Sequence, residues 1–415
     1  MKRVSNIWRD AVNLDNGIIA VIDGTRNKRG DREVQCLLYT DIDHWHQVDP
    51  EKAKAYIEPV CAELSAKTWK HSEPRYKKQF CKNRASNGGK WRDLYIPVLK
   101  DHIVAHMVMQ ASMEAFTKGM HPNCCGSVPG RGIKHIIRKC KQWFQNDPEC
   151  RYFVKLDIRK FFDNIDGDIL KNVFRTKIKD KDILWALDQI VDSAPVACPV
   201  GYYTSPWFAN LYLEKLDWHI VQDLYKERRG KRLPYVRHYL RYADDMLLIG
   251  TSKTDLKKAV HDIIDYLDMH YHLEIKPEWE IKQIGKHEIV DGEQRMKPGT
   301  YWCDIGGYKF CKDATIMRDG IFLDTRRLAK KIHKQGYATE HQAKSMMSKI
   351  GWAKHCDSYG FMENDIKPYI HIKETRRMIS DVDKKRKQRI NQAIADRGKR
   401  KQCNSAKELQ QNSSD

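Results

Sequence analysis

Apolar residues recur along this chain in two rhythms. In RYFVKLDI (151–158), Tyr152, Val154, Leu156 and Ile158 alternate with Phe153, Lys155 and Asp157, which predicts a strand with an acid on its second face. HYLRY and MLLIG (238–250) are short aromatic and aliphatic runs ending on Gly250, and predict two strands with Asp244 and Asp245 at the turn between them. Asp suits a turn because its side chain bonds nearby backbone N–H groups. Residues 75–97 read as strand, loop, strand, turning at Asn87-Gly88-Gly89 and ending at Pro97.

The second rhythm is helical. Ala53, Ile57, Val60, Cys61 and Leu64 predict a helix over 50–68, kinked or split at Pro59. Asp101 is expected to cap a helix, DHIVAHMVMQASMEAF, with its apolar positions largely on one face. A glycine-rich turn and helix follow at 126–140, then a helix near 166–192 and the loop SAPVACPVGYYTSP. One long apolar helix is expected over 207–227, and an amphipathic one over 254–271. LEIKPEWEI and TYWCDIGGYKF look strand-like, and from about 324 the pattern is helical and basic. Residues 1–50 mix polar and short apolar pieces, with a basic, turn-rich stretch at 24–34.

Charge changes the picture more than composition does. Lys and Arg number 75 against 55 Asp and Glu, a formal charge of +20, which predicts a polyanionic partner, most simply nucleic acid. Residues 373–401 alone carry 12 basic against 4 acidic residues and predict a frayed or disordered tail. The 12 cysteines include no CxxC pair, and His121, Cys124 and Cys125 lack a second pair at zinc spacing, so free thiols are expected. No apolar stretch approaches the roughly 18 residues that span a membrane, and the N-terminus has no signal core; a cytoplasmic, membrane-free protein is expected.

Asp157 on one strand and Asp244-Asp245 at a hairpin tip could meet at one sheet end. Three carboxylates together repel unless a divalent cation neutralises them, and Mg²⁺ prefers such hard oxygen ligands. Two such ions could clamp an in-line phosphoryl transfer. Here the chain resembles the reverse transcriptases. Tyr242-Ala243-Asp244-Asp245 resembles their hairpin signature, and FVKLDIRKFFDNID (153–166) its partner motif. GGKWRDLYIPVLKDHIVAHMVM, CCGSVPGRGIKHI, GYYTSPWFANLYL, YWCDIGGYKF and SMMSKIGWAKHCDS are similar, in order, to further blocks of bacterial members, so the likeness covers roughly residues 50–360.

The resemblance implies an α+β right-hand polymerase: an N-terminal extension (1–60), fingers (61–150), an antiparallel palm sheet (151–310) with an insertion near 166–195, a helical thumb (311–375) and a basic tail (376–415). It implies that Asp157 and Asp244 bind two Mg²⁺ ions, for which Mn²⁺ substitutes, with the Ile158 backbone and Asp245 in support. Phe162 matches a steric gate against the ribose 2′-hydroxyl, and Tyr242 joins the nucleotide site. Lys82 and Arg92 match the cations that hold the triphosphate, with Lys90 able to replace Lys82. Gly201, Ser205 and Pro206 match the loop facing the template and nascent base pair, where a glycine permits close approach. Ile305, Gly306 and Gly307 match the primer grip.

The chain also departs from the family pattern. Val200 stands where many relatives have Gln, the primer grip reads Ile305-Gly306-Gly307 in place of Leu-Gly, and the Lys that serves as proton donor has no clean match. Trp279 falls near its position, with Lys276 and Lys282 as substitutes. No endonuclease-like zinc region, RNase H-like acid set or Asn-Ala-x-x-His stretch is visible. The opening and GWAKHCDS look most like diversity-generating retroelement and phage-defence enzymes, although Ser205-Pro206 replaces the usual Ser-Gln of the former. The implied partners are a structured RNA encoded nearby, an RNA–DNA hybrid, deoxynucleotides and a small accessory protein. Two other readings stay open: a maturase-like RNA-binding protein, and template-independent or protein-primed DNA synthesis.

Overall fold

The computed structural model describes residues 3–28, 30–38, 48–82, 89–290, 293–385 and 388. The chain opens with helices α1 (Trp8–Ala11), α2 (Leu14–Thr25), α3 (Arg32–Leu38) and α4 (Pro50–Ser65). The mixed pattern of residues 1–50 had not suggested the first three, whereas α4 is the helix expected over 50–68. Asn13 starts α2 by accepting a hydrogen bond from the Asp15 N–H. α4 runs through Pro59 without splitting; both Pro59 and Ala55, one turn back, are exposed, so water can serve the carbonyl that loses its partner.

Strands β1 (Arg75–Lys82) and β2 (Gly89–Ile96) form a separate two-stranded ribbon. Of its expected turn, Asn87 and Gly88 lie outside the described residues. Helix α5 (Leu99–Thr117) starts two residues before the expected cap. Asp101 sits inside it, fully buried, and accepts from Trp69 Nε1 at 3.0 Å and the Ser72 N–H at 2.8 Å. Nor is α5 one-sided: residues 101–109 are buried without interruption, as befits a helix surrounded by protein.

Next come β3 (Cys124–Cys125), α6 (Ile133–Asn146), β4 (Tyr152–Asp157) and a 3₁₀ turn at Phe161–Asn164. The helix expected near 166–192 is two, α7 (Gly167–Lys177) and α8 (Lys181–Asp192). Asp180 divides them: Oδ1 caps the Asp182 and Ile183 N–H groups, and Oδ2 accepts from Ile7 and Trp8. The helix expected over 207–227 is also broken. It becomes α9 (Ser205–Tyr212) and α10 (Glu214–Gln222), followed by a hairpin that the apolar pattern had not suggested, β5 (Tyr225–Arg228) and β6 (Lys231–Pro234).

The acidic hairpin is β7 (His238–Tyr242) and β8 (Asp245–Gly250), and α11 (Lys253–Tyr271) follows. LEIKPEWEI is extended but joins the sheet only through an Ile158–Ile275 bridge. The chain continues with β9 (Lys282–Gln283), β10 (His287–Val290), β11 (Glu293–Met296), β12 (Cys303–Ile305), β13 (Tyr308–Phe310) and β14 (Thr315–Met317). It then forms α12 (Asp319–Gln335), α13 (Glu340–Ala353) and α14 (Tyr359–Phe361), with residues 372–385 helical. The expected tail lies outside the described residues beyond 385, save 388.

The central sheet runs β3-β7-β8-β4-β9, antiparallel except where β3 joins β7 in parallel. Its alternation feeds two cores. Val154, Leu156, Met246 and Leu248 face helices α2, α4, α5 and α7–α11. Phe153, Leu240, Leu247 and Ile249 face α6 and the C-terminal elements. A sheet covered on both faces explains the unbroken apolar run MLLIG. The expected α+β class is therefore what forms: a palm sheet between a helical core and the C-terminal elements, with a separate two-stranded ribbon.

Candidate active site

The acidic residues converge at one end of the sheet. Asp157 ends β4 and sits directly opposite Asp245, which begins β8. Asp244 immediately precedes Asp245, in the two-residue turn between β7 and β8 closed by the Tyr242–Asp245 pair. Ala243 holds that turn with φ +55°, a left-handed conformation costly for a residue with a Cβ.

Burial, first, and the neighbouring Asp157 push the Asp244 carboxyl above its ordinary value, while Lys276 and Lys90 pull it back. Asp245 is likewise raised by burial, against Lys155, whose Nζ is 3.4 Å from its Oδ2. Lys155 lies on the same strand face as Asp157, as the alternation predicts. Lys276 Nζ approaches Asp157 Oδ1 to 2.6 Å. The ammonium thus occupies the place beside that oxygen in a close ion pair. Carboxylates crowded together, two of them raised by burial and by their neighbours, fit a divalent cation. The donor set is hard oxygen: Asp157, Asp244 and, beside them, Asp245.

Of Trp279 and the two lysines considered as substitutes, Lys276 alone is placed against the acids. Its N–H donates to the Asp157 carbonyl at 2.9 Å, next to the Ile158–Ile275 bridge. Lys282 is on β9 beside Phe153 and pairs with Glu280, and Trp279 meets His261 edge-on. Ile158 is buried at the end of β4.

Lys90, which lowers the Asp244 pKa, belongs to the β1–β2 ribbon. Cross-strand register puts Lys90 opposite Cys81 and Arg92 opposite Gln79 on one face, with Phe80 against Trp91 on the other. Lys82 is the last residue of β1, opposite Gly89. The ribbon edge is bonded to the loop before α9: the Tyr95 N–H donates to the Val200 carbonyl at 2.9 Å. Gly201 follows at φ +118°, and a Cβ there would stand 2.4 Å from the Tyr95 carbonyl oxygen. Close approach is required at Gly201, as expected, but the nearest backbone is that of the ribbon.

Ser205 is buried, and its hydroxyl donates to the Pro199 carbonyl at 2.7 Å, so the side chain shapes the loop and is not free for a ligand. Pro206 starts α9. Phe162 is half-buried beside fully buried Phe161, just after Lys160 at φ +46°. Tyr242 is exposed and lies over Gly126, where a Cβ would come 3.2 Å from its ring. Ile305 is buried, while Gly306 and Gly307, both at positive φ, make the tight turn from β12 to β13.

Sequence reasoning missed the support beneath the turn. Arg241 is fully buried and bidentate to Asp217, with Nε and Nη2 each 2.7 Å from a carboxylate oxygen. Its Nη1 donates to the Ala243 carbonyl at 3.0 Å and its Nη2 to the Asn210 carbonyl at 3.1 Å. The Tyr239 hydroxyl donates to Asp217 at 2.8 Å, and Asn210 Nδ2 to the Gly126 carbonyl at 2.9 Å. Burial opposes the charge on Arg241, but Asp217 holds its pKa well above the ordinary value. One guanidinium thus ties α9, α10 and the Gly126 segment to the acidic turn. The available signal was a charged residue inside an otherwise apolar strand.

Residues 77–278 match the family described as reverse transcriptase (RNA-dependent DNA polymerase). That span holds the three acids, the ribbon cations, Phe162, Gly201 and Lys276, and stops before Ile305. Retron Ec73 reverse transcriptase of Escherichia coli is 24% identical over 308 residues, covering 72% of this chain and 90% of that protein. Protein YkfC of Escherichia coli K12 is 26% identical over 209 residues, 42% of this chain and 55% of that one. Group II intron-encoded protein LtrA of Lactococcus lactis subsp. cremoris is 27% identical over 146 residues, 33% of this chain and 24% of that one.

Proposed function

We propose that this chain, a reverse transcriptase of the lineage that includes retron and group II intron enzymes, copies a dedicated structured RNA into DNA by two-metal nucleotidyl transfer. The observation that carries the reading is the register that sets Asp157 opposite Asp245, with Asp244 in the turn between β7 and β8. Reverse transcriptases use divalent metals; here Asp157, Asp244 and the Ile158 carbonyl would hold Mg²⁺ or Mn²⁺, with Asp245 in support. When bound, the ions supply Lewis-acid activation of the primer hydroxyl and charge neutralisation at the leaving pyrophosphate.

The protein's own residues do the rest. Arg92, with Lys90 or Lys82, draws the triphosphate to the corner by charge-assisted hydrogen bonds. Phe162 lines the sugar and excludes a 2′-hydroxyl, favouring deoxynucleotides. The loop at Gly201, held by the ribbon, supports the nascent pair. Lys276, beside Asp157, is the residue we assign as proton donor to the pyrophosphate. Ile305-Gly306-Gly307 offers a tight turn against the primer, and we take 61–150 as fingers, 151–310 as palm and 311–375 as thumb.

The biological setting we favour is a cytoplasmic retroelement of the diversity-generating or anti-phage kind, with its template RNA encoded nearby and a small accessory protein. The name of the retron relative supports a retroelement, and the lineage's dependence on RNA supports the template. A maturase-like role without catalysis is disfavoured, because RNA folding alone asks for no triad of acids in register.

The test is primer extension on an RNA template with Mg²⁺ and deoxynucleotides, run with and without template. DNA that matches the template and disappears when the template is omitted supports the reading. The same product without template would replace it with untemplated synthesis.

A further inference from the structure

The sheet end opposite the acids carries a second charged surface. Strand β8 runs from Asp245 to Gly250, roughly 17 Å at about 3.3 Å per residue, and α11 begins three residues later. Beside it stands the β5–β6 hairpin, with five basic residues and one acid in YKERRGKRLP. Lys226 is bound to Asp255, and Arg232 lies over Tyr225 near Glu227. Arg228, Arg229 and Lys231 are exposed at the tip, and none has an ion pair among the described residues. Lys253, Lys257 and Lys258 extend the same surface along the first turns of α11, joined to the hairpin by the Lys226–Asp255 pair and by Lys258 over Tyr235.

One feature of this surface runs against stability. Arg229 occupies the hairpin turn at φ +52°, ahead of Gly230 at φ +71°; such a turn prefers Asn, Asp or Gly. Charge is therefore kept where folding alone would not put it. Its two tyrosine rings already have cations beside them, Arg232 4.4 Å from the Tyr225 ring centroid and Lys258 6.0 Å from that of Tyr235. Cations without free aromatic faces suit the phosphates of a double helix, whereas single strands ask for stacking.

We propose that the β5–β6 hairpin and the start of α11 form a docking surface for a double-helical stem of RNA, outside the cleft that holds the primer and template. The inference rests on the polymerase reading only in taking RNA as the partner. It places the stem at the sheet end remote from chemistry, so the enzyme can grip folded RNA while copying another part of it.

The experiment is equilibrium binding of a short RNA stem-loop, and of single-stranded RNA of equal length, across a salt series. The proteins are the full chain and two variants, Arg228→Gln/Arg229→Gln/Lys231→Gln and Lys257→Gln/Lys258→Gln. Extension of a short primer–template, which does not reach this surface, checks folding and is expected to be unchanged. The hairpin variant should lose stem affinity about tenfold or more, with a slope of log K against log salt shallower by roughly two. The helix variant should lose less, and saturating primer–template should leave stem binding by the unaltered chain in place. Stem affinity and slope equal to the unaltered chain in both variants would overturn the proposal, as would a loss confined to single-stranded RNA. If the unaltered chain makes no templated DNA yet binds the stem through the hairpin, the polymerase reading fails and this one stands. Normal synthesis with no effect of either variant on the stem fails this one alone.

Discussion

Two hairpins of this molecule turn on the same unusual geometry and treat it in opposite ways. Ala243 and Arg229 are both non-glycine residues at positive φ, +55° and +52°, in two-residue turns. The first sits above a buried guanidinium that bonds its carbonyl, in a web joining α9, α10 and the segment under Tyr242. The second stands in solvent. The acidic turn must hold carboxylates to within fractions of an ångström, so its strain is fixed by a saturated buried network. The basic turn needs only charge and reach, so its strain goes unsupported. A left-handed residue alone thus does not mark an active site; what holds it does.

The largest effect should come from cutting the network. Arg241→Met leaves the Asp217 carboxylate buried without its cation, a loss on the order of 3–5 kcal/mol, read by chemical denaturation. Arg241→Lys sharpens the point by keeping the charge but losing the planar fork that reaches Asp217 and Ala243 together. It should fold, with kcat down about tenfold or more and KM for deoxynucleotide little changed. Wild-type kcat in that variant would mean that the acidic turn does not depend on Arg241. The smallest effect belongs to the free turn. Arg229→Gly removes the left-handed penalty and should raise stability by about 0.5–1 kcal/mol, leave kcat unchanged and weaken RNA stem binding slightly. A loss of stability there would show that the basic turn is supported after all.

Much of the site was legible because it is local. The alternation in 152–157 put Lys155 and Asp157 on one face, and two short apolar runs framed Asp244-Asp245; both follow from the period of a strand. The ribbon at 75–96 announced itself by turn residues. What was not legible depends on distant partners. Nothing in WFANLYLEKLDWHIVQDLYKE breaks a helix; the interruption at Leu213 is tertiary, in a stretch whose Asn210 and Asp217 both meet Arg241. Asp101 looked like a cap because it precedes an apolar run, but its carboxylate answers Trp69 and Ser72, far back in sequence. The β5–β6 hairpin carries no apolar alternation, since both its faces are wet at the tip, and Gly230 was its one signal. Lys276 was among the candidates, but only the pairing of residues 274–276 with the end of β4 singles it out.

The most direct test of the acidic turn is single-nucleotide incorporation by Asp244→Asn, measured beside its affinity for primer–template. Asn keeps the shape and removes the charge that a divalent ion requires. The account predicts incorporation reduced at least about a thousandfold, with the fold and primer–template binding intact. Incorporation within a few-fold of the unaltered chain would contradict it and move the chemistry away from the end of this sheet.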